Sequence, residues 1–240
     1  MKMIKVDNYQ QMSEKAAEYI IDRVTKVPGI KLGLATGGTP IGTYKHLIED
    51  YQNNGTSYLN VTTFNLDEYI GLSGEDKNSY RYYMNDLFFN HIDINKEKTH
   101  VPQGDVGDMQ TECLRYEELI AENGGIDLQI LGIGSNGHIG FNEPGTSFQS
   151  KTHIVDLAPS TIEANARFFN QLEEVPTMAI TMGISTIMKS KEILLLVSGE
   201  SKKEALEKLM NGHVDEKFPA SILKNHPHVT IIADKAAVAD

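Results

Sequence analysis

The chain has 240 residues, 40% of them hydrophobic, and 22 Lys and Arg against 33 Asp and Glu give a formal charge of −11. That length buries a sizeable core without staples, and a single cysteine excludes a disulfide framework or a multi-cysteine metal cluster. The acidic balance argues against a nucleic-acid backbone or an anionic membrane surface as partner, while leaving room for a locally positive pocket. No apolar stretch reaches signal-peptide or membrane-spanning length, so a cytoplasmic protein is expected.

Helical patterns at about 8–25, 40–53, 78–90, 108–123 and 200–210 alternate with short β-branched runs. The runs are KLGLAT (31–36), NVTTFNL (60–66), IDLQILGIG (126–134), TMAITMG (177–183), KEILLLVSG (191–199) and HVTIIAD (228–234). Several are continuously apolar, as strands are when helices cover both faces of a parallel sheet. The expectation is an α/β fold: a three-layer αβα, doubly wound, mostly parallel Rossmann-like sheet. From about 144 to 176 the rhythm breaks. FNEPGTSF, a strand-like KTHIVDL and a short helical APSTIEANARFF are too polar for the central sheet and are expected to form a lid.

In open parallel sheets ligands sit beyond the carboxyl ends of the strands, so residues following strands carry the information. After KLGLAT comes ATGGTPIGTY, where Gly37 and Gly38 permit a tight turn. Thr39 is expected to cap the next helix, Pro40 to begin it, and the exposed amides to form a phosphate site. FNLDEY then ends a strand in Asp67 and Glu68. Neighbours in an extended chain point opposite ways, so only one of these carboxylates can face a cleft as a proton shuttle.

LGIGSNGHIGFNEPG spells GxGxxG with Gly132, Gly134 and Gly137, and Asp156 imitates a ribose-binding acid. A dinucleotide site needs a helix running on from the third glycine, and Gly140, Pro144 and Gly145 interrupt one, so that reading is rejected. What remains is a loop presenting Asn136, His138 and Glu143: an imidazole able to move protons near neutral pH, with a carboxylate close enough to orient it. SGESKKEAL again places Ser198, Gly199 and a helix start after a strand, and periodicity leaves Lys202 and Lys203 equally placed to reach an anion. Cys113 reads as a packing residue on an amphipathic helix. His226 and His228 flank a proline with no third ligand in reach, and Tyr82, Tyr83, Phe88 and Phe89 read as core or interface.

Taken together, ATGGTP, FNLDEY, GIGSNGHIGFNEPGTSF, ANARFF and SGESKKEAL resemble the glucosamine-6-phosphate deaminase (isomerase) family, in family order and with flanking similarity over nearly the whole chain. The resemblance implies a single catalytic domain over 1–240 that converts glucosamine 6-phosphate and water to fructose 6-phosphate and ammonia, with no metal or organic cofactor. It implies Asp67 as the base that takes the C2 proton and His138 as the group assisting ring opening, oriented by Glu143. Around the phosphate it implies Gly38 and Thr39, beside Gly37, together with Arg167 and Lys202. It further implies a small-molecule substrate, no nucleic acid or membrane partner, and a monomer or small homo-oligomer.

Many members carry Asp where this chain has Asn136; Asn can hold the ring by hydrogen bonding but supplies no charge, so more weight should fall on Glu143. Allosteric members carry a C-terminal extension and two basic residues where this chain has His153 and Val155, so activation by N-acetylglucosamine 6-phosphate is not expected. Two rivals stand beside this reading. A 6-phosphogluconolactonase-like hydrolase needs no carboxylate to abstract a C2 proton, and a non-enzymatic sugar-phosphate sensor should carry a helix-turn-helix for which the first 30 residues leave too little chain.

Overall fold

The structure is a computed structural model that describes residues 1–166, 169, 171 and 174–238. It begins with an edge strand, β1 (Lys2–Val6), that the sequence reading passed over because its alternating pattern is only half-buried. α1 (Tyr9–Lys26) follows, its start capped by Asn8, whose side chain accepts the Gln11 N–H. Then come β2 (Lys31–Leu34), α2 (Ile41–Asn54), β3 (Thr62–Asn65) and β4 (Asp67–Tyr69). α3 (Tyr80–Leu87) is capped by Ser79, β5 (Thr99–His100) is short, and α4 (Met109–Glu122) is capped by Asp108. The second half runs β6 (Leu128–Leu131), β7 (His153–Asp156), α5 (Pro159–Asn165), β8 (Met178–Thr181), α6 (Ile184–Ile187), β9 (Glu192–Val197), α7 (Lys203–Asn211) and β10 (Val229–Asp234).

Seven strands form one parallel sheet in the order β1-β10-β9-β6-β2-β3-β5. Successive residues of a strand face opposite layers, and β9 shows why its run reads as continuously apolar. Leu194 and Leu196 pack with Met12, Ala16 and Ile20 of α1 on one side. Ile193, Leu195 and Val197 pack with Tyr116 of α4 and with Leu206 and Leu209 of α7 on the other. The expected αβα sandwich is therefore present.

TMAITMG departs from expectation. It is a strand, but it lies outside the central sheet, as the middle member of a separate antiparallel sheet, β4-β8-β7. An apolar run reports burial and not which sheet provides it, so periodicity could not separate the two cases. The consequence is functional: Thr181 of β8 pairs with Asp67 on one side and His153 on the other, so the small sheet joins the NLDEY strand to the irregular excursion. The excursion begins on fixed ground. Gly145 N–H donates to the Glu216 carbonyl (2.8 Å), and Thr152 donates to the Glu117 carboxylate through both its N–H (2.8 Å) and its hydroxyl (2.6 Å).

Among the described residues, no helix is long and apolar enough to cross a membrane.

Candidate active site

A cleft of about 210 Å³ opens at the carboxyl ends of β2, β3 and β6 and at the turn after β9, where an open parallel sheet is expected to bind. Its lining brings together Gly37, Gly38, Thr39, Asp67, Asn136, His138 and Lys202, drawn from four separate stretches of chain. Glu143 stands behind this wall. Arg167 lies outside the described residues. A larger depression, about 630 Å³, sits at the opposite end of the sheet, but its Arg23 is already bonded to Glu192 (3.0 Å) and its Lys191 to Asp127 (2.7 Å).

The turn after β2 differs in detail from expectation. Thr39 does not cap α2: the helix begins at Ile41, and the cap position falls on Pro40, which makes no side-chain cap bond. The end is stabilised from outside. Tyr9 accepts the Gly42 N–H (2.9 Å) and donates to the Gly38 carbonyl (3.2 Å), while the Tyr83 hydroxyl donates to the Gly37 carbonyl (2.6 Å). Two tyrosines from other helices thus clamp the glycine turn. Tyr83 therefore does more than pack.

At β4 the alternation rule holds. Asp67 faces the cleft, and Glu68 turns the other way, accepting the N–H groups of Tyr69 (2.9 Å), Tyr80 (2.8 Å) and Arg81 (3.0 Å) at the start of α3. Asp67 is only 6% exposed. Burial, and then the neighbouring Glu68, push its carboxyl up to about 8. Burial likewise raises Glu68, against the three amides and Arg81. A carboxyl tuned that high is a stronger base than a solvated aspartate and is poised near neutral pH. The peptide order of α3 also brings Tyr80 onto the cleft wall, a residue the sequence reading missed.

The loop after β6 does not continue as a helix beyond Gly137: Ile139 and Asn142 instead form an isolated bridge. Gly137 has φ +89°, and a Cβ there would lie 2.2 Å from the Phe218 ring, so both backbone and space demand glycine. The loop aims His138 into the cleft, with Nδ1 3.6 Å from Glu143 Oε2, an ionic contact when the ring is protonated and longer than a hydrogen bond. Asn136 does not hold the imidazole. Its Oδ1 accepts the His138 backbone N–H (3.1 Å), and its Nδ2 donates to Glu143 Oε2 (2.8 Å). It therefore acts on the loop and on the carboxylate. Burial works to raise Glu143, but His138, the Thr161 hydroxyl and Asn136 outweigh it and hold the carboxyl down to about 2.

Gly134 packs against the imidazole so closely that a Cβ would fall 2.3 Å from His138 Nδ1. Gly134→Ala is expected to push the ring aside and lower kcat about tenfold or more with little change in melting temperature, since small misplacements of a reacting group are costly. Steady-state kinetics beside a melting curve test this.

The fourth stretch needs the largest correction. Ser198 and Gly199 do not form a second anion site, because Asp234, at the carboxyl end of β10, occupies those donors. Its carboxylate accepts the Ser198 hydroxyl, the Gly199 N–H (3.1 Å) and the Ala237 N–H (2.9 Å). An amide committed to a carboxylate is closed to a phosphate. Lys202 ends a 3-10 turn and lines the cleft, whereas Lys203 begins α7 and does not line it. Asp234 ends its strand at the carboxyl end of the sheet and was discoverable by the same rule. Asp234→Ala should loosen the turn and raise KM several-fold with a smaller loss of kcat; kinetics at saturating and limiting substrate check it.

The remaining histidine pair is structural. His226 contacts the Ser190 carbonyl through Nε2 (2.8 Å) and accepts the His228 N–H at Nδ1 (3.1 Å). Among the described residues, no three His, Cys, Asp or Glu side chains converge as a metal site.

An open parallel sheet with a glycine turn, a buried carboxylate and a histidine–carboxylate pair at its strand ends defines an α/β site equipped for proton transfer. The chain belongs to the family described as glucosamine-6-phosphate isomerases/6-phosphogluconolactonase, which it matches over residues 7–232. It is 60% identical over 239 residues to a glucosamine-6-phosphate deaminase of Shouchella clausii, covering 100% of this chain and 97% of the relative. Its structure matches that of a monomeric glucosamine-6-phosphate deaminase with TM-score 0.98 at 52% identity, covering 99% of this chain and 98% of the other. A 6-phosphogluconolactonase from Thermotoga maritima shares the fold at TM-score 0.77 and 18% identity, covering 98% and 99% of the two chains.

Proposed function

We infer that the protein converts glucosamine 6-phosphate and water to fructose 6-phosphate and ammonia. The observation that carries this reading is the placement of a buried carboxylate, Asp67, in the same cleft as His138. A Cβ built on Gly140, at the end of the histidine loop, would lie 3.6 Å from Asp67 Oδ2. A lactone hydrolase has no proton to move between carbons, and the solved lactonase it resembles is only 18% identical.

The chemistry assigns the groups. In the cyclic sugar C1 is not a carbonyl, so the C2 hydrogen is not acidic. His138 moves the C1 hydroxyl proton to the ring oxygen, the C1–O bond breaks and an aldehyde forms. Glu143, ionised behind the imidazole, supports its positive charge during this transfer. Asp67 then takes the C2 proton while O1 receives a proton from the imidazole, giving an enolamine. Asp67 returns its proton to C1 as the amino group gives one N–H proton back to the imidazole, which leaves a hydroxyl at C1 and an imine at C2. Water adds to the imine, and ammonia departs.

The Gly37–Thr39 turn, Lys202 and Arg167 hold the phosphate, whose binding energy, remote from the reacting carbons, orients them. The excursion over about 144–176 acts as a lid. Its first half is tied down by the bonds to Glu216 and Glu117 and by the pairing of β7 with β8. We further place the protein in the cytoplasm as a monomer, as its structural relative is described, with no activation by N-acetylglucosamine 6-phosphate.

A coupled assay for ammonia and fructose 6-phosphate tests the reading. Stoichiometric release of both is expected. Hydrolysis of 6-phosphogluconolactone without ammonia release from the amino sugar would overturn it.

A further inference from the structure

The two oxygens of Glu143 are held from different parts of the chain. Oε2 faces His138 Nδ1 and accepts from Asn136 Nδ2, both within its own loop. Oε1 accepts the hydroxyl of Thr161, which stands on α5 beyond β7. Thr161 is 4% exposed, and its N–H is bonded to the Ala158 carbonyl (2.8 Å), so the hydroxyl is presented from a fixed turn. It also lines the cleft.

We propose that Thr161 is a positioning residue for ring opening, its hydroxyl setting the plane of the Glu143 carboxylate so that Oε2 is presented to His138. The terminal torsion of a glutamate is broad and roughly two-fold, so a single donor leaves the carboxylate plane loosely defined. Asn136 donates to the oxygen that His138 must also reach and so does not fix the other oxygen. A donor on Oε1, coming from a different element, does. α5 thus contributes to orienting the histidine–carboxylate pair. This rests on the deaminase reading for its kinetic consequence and on geometry alone for its structural one.

The test compares Thr161→Val, which keeps the branched shape and removes the hydroxyl, with Thr161→Ser, which keeps the hydroxyl. Ammonia release from glucosamine 6-phosphate gives kcat and KM. The imidazole nitrogen resonances of His138 in the free protein, identified by their loss in His138→Gln, report ring orientation. Thr161→Val is expected to lower kcat about tenfold with KM within about threefold, as loss of one orienting hydrogen bond should, and to move the His138 Nδ1 resonance. Thr161→Ser should stay within about threefold of wild type on the same footing.

Unchanged kcat in Thr161→Val, an unmoved His138 resonance, or a serine variant as slow as the valine variant would each overturn the proposal. Failure of the deaminase reading looks different: the wild type itself releases no ammonia, while the resonance comparison still decides the role of Thr161.

Discussion

Asp67→Asn is expected to lower ammonia release by about 10²–10⁴-fold, the usual worth of a positioned general base, while making the protein more stable. The second half separates a catalytic loss from simple damage. Burial and Glu68 raise the folded carboxyl to about 8 from an ordinary value of 3.8. Between those values the folded state holds a proton that the unfolded chain releases, so wild-type stability falls as pH rises from about 4 through about 8. Asparagine resembles the protonated form and escapes this. The shift corresponds to a destabilisation on the order of 5 kcal/mol at alkaline pH, at 1.36 kcal/mol per unit.

Melting curves should therefore show the variant above wild type at pH 8.5 and level with it near pH 4. A variant that is inactive and less stable at pH 8.5 would count against Asp67 as a buried base. In the wild type, kcat/KM should rise with pH through about 8 as Asp67 loses its proton.

Glu143→Gln is expected to behave oppositely in stability. Its folded carboxyl is held at about 2 from an ordinary 4.5, so its contribution is present above about 4.5 and disappears as pH falls through about 2. The variant should be less stable than wild type at pH 7 by up to about 3 kcal/mol, a gap that closes in acid. Its kcat should fall about 100-fold, because the imidazolium loses its charged partner, with a smaller effect on KM. Two carboxylates in one site, with opposite effects of pH on stability, form a signature that a pair of solvated loop acids would not produce. Equal melting temperatures for both variants and wild type across pH would remove the electrostatic basis of the site.

Much of the candidate site was legible because its residues follow strands. Asp67, His138 with Glu143, the Gly37–Thr39 turn and Lys202 all lie at places where a parallel sheet exposes its strand ends, and the glycines around them mark sharp turns. Periodicity also required that only one of Asp67 and Glu68 face the cleft, since adjacent residues of a strand cannot face the same side, and the folded chain made it Asp67. The positions that were missed belong to partners from distant chain. Tyr80, Tyr83 and Thr161 reach the site from helices, and nothing local distinguishes them from packing residues. Asp234 had the right position and was overlooked, and its presence turned a supposed anion site into an occupied one.

The sequence alone determined the alternation of strand and helix, the apolar faces that build the sandwich, and the kinds of chemical group at the strand ends. These depend on local conformational preference and on burial patterns repeated along short stretches. The tertiary structure decided which strands left the main sheet, which of two lysines faces the cleft, and which amides were already bonded. It also decided that a carboxyl would be held near 8 in one place and near 2 in another. Those outcomes depend on desolvation and on hydrogen-bond partners from remote segments, and they take their values only when the chain has closed around them.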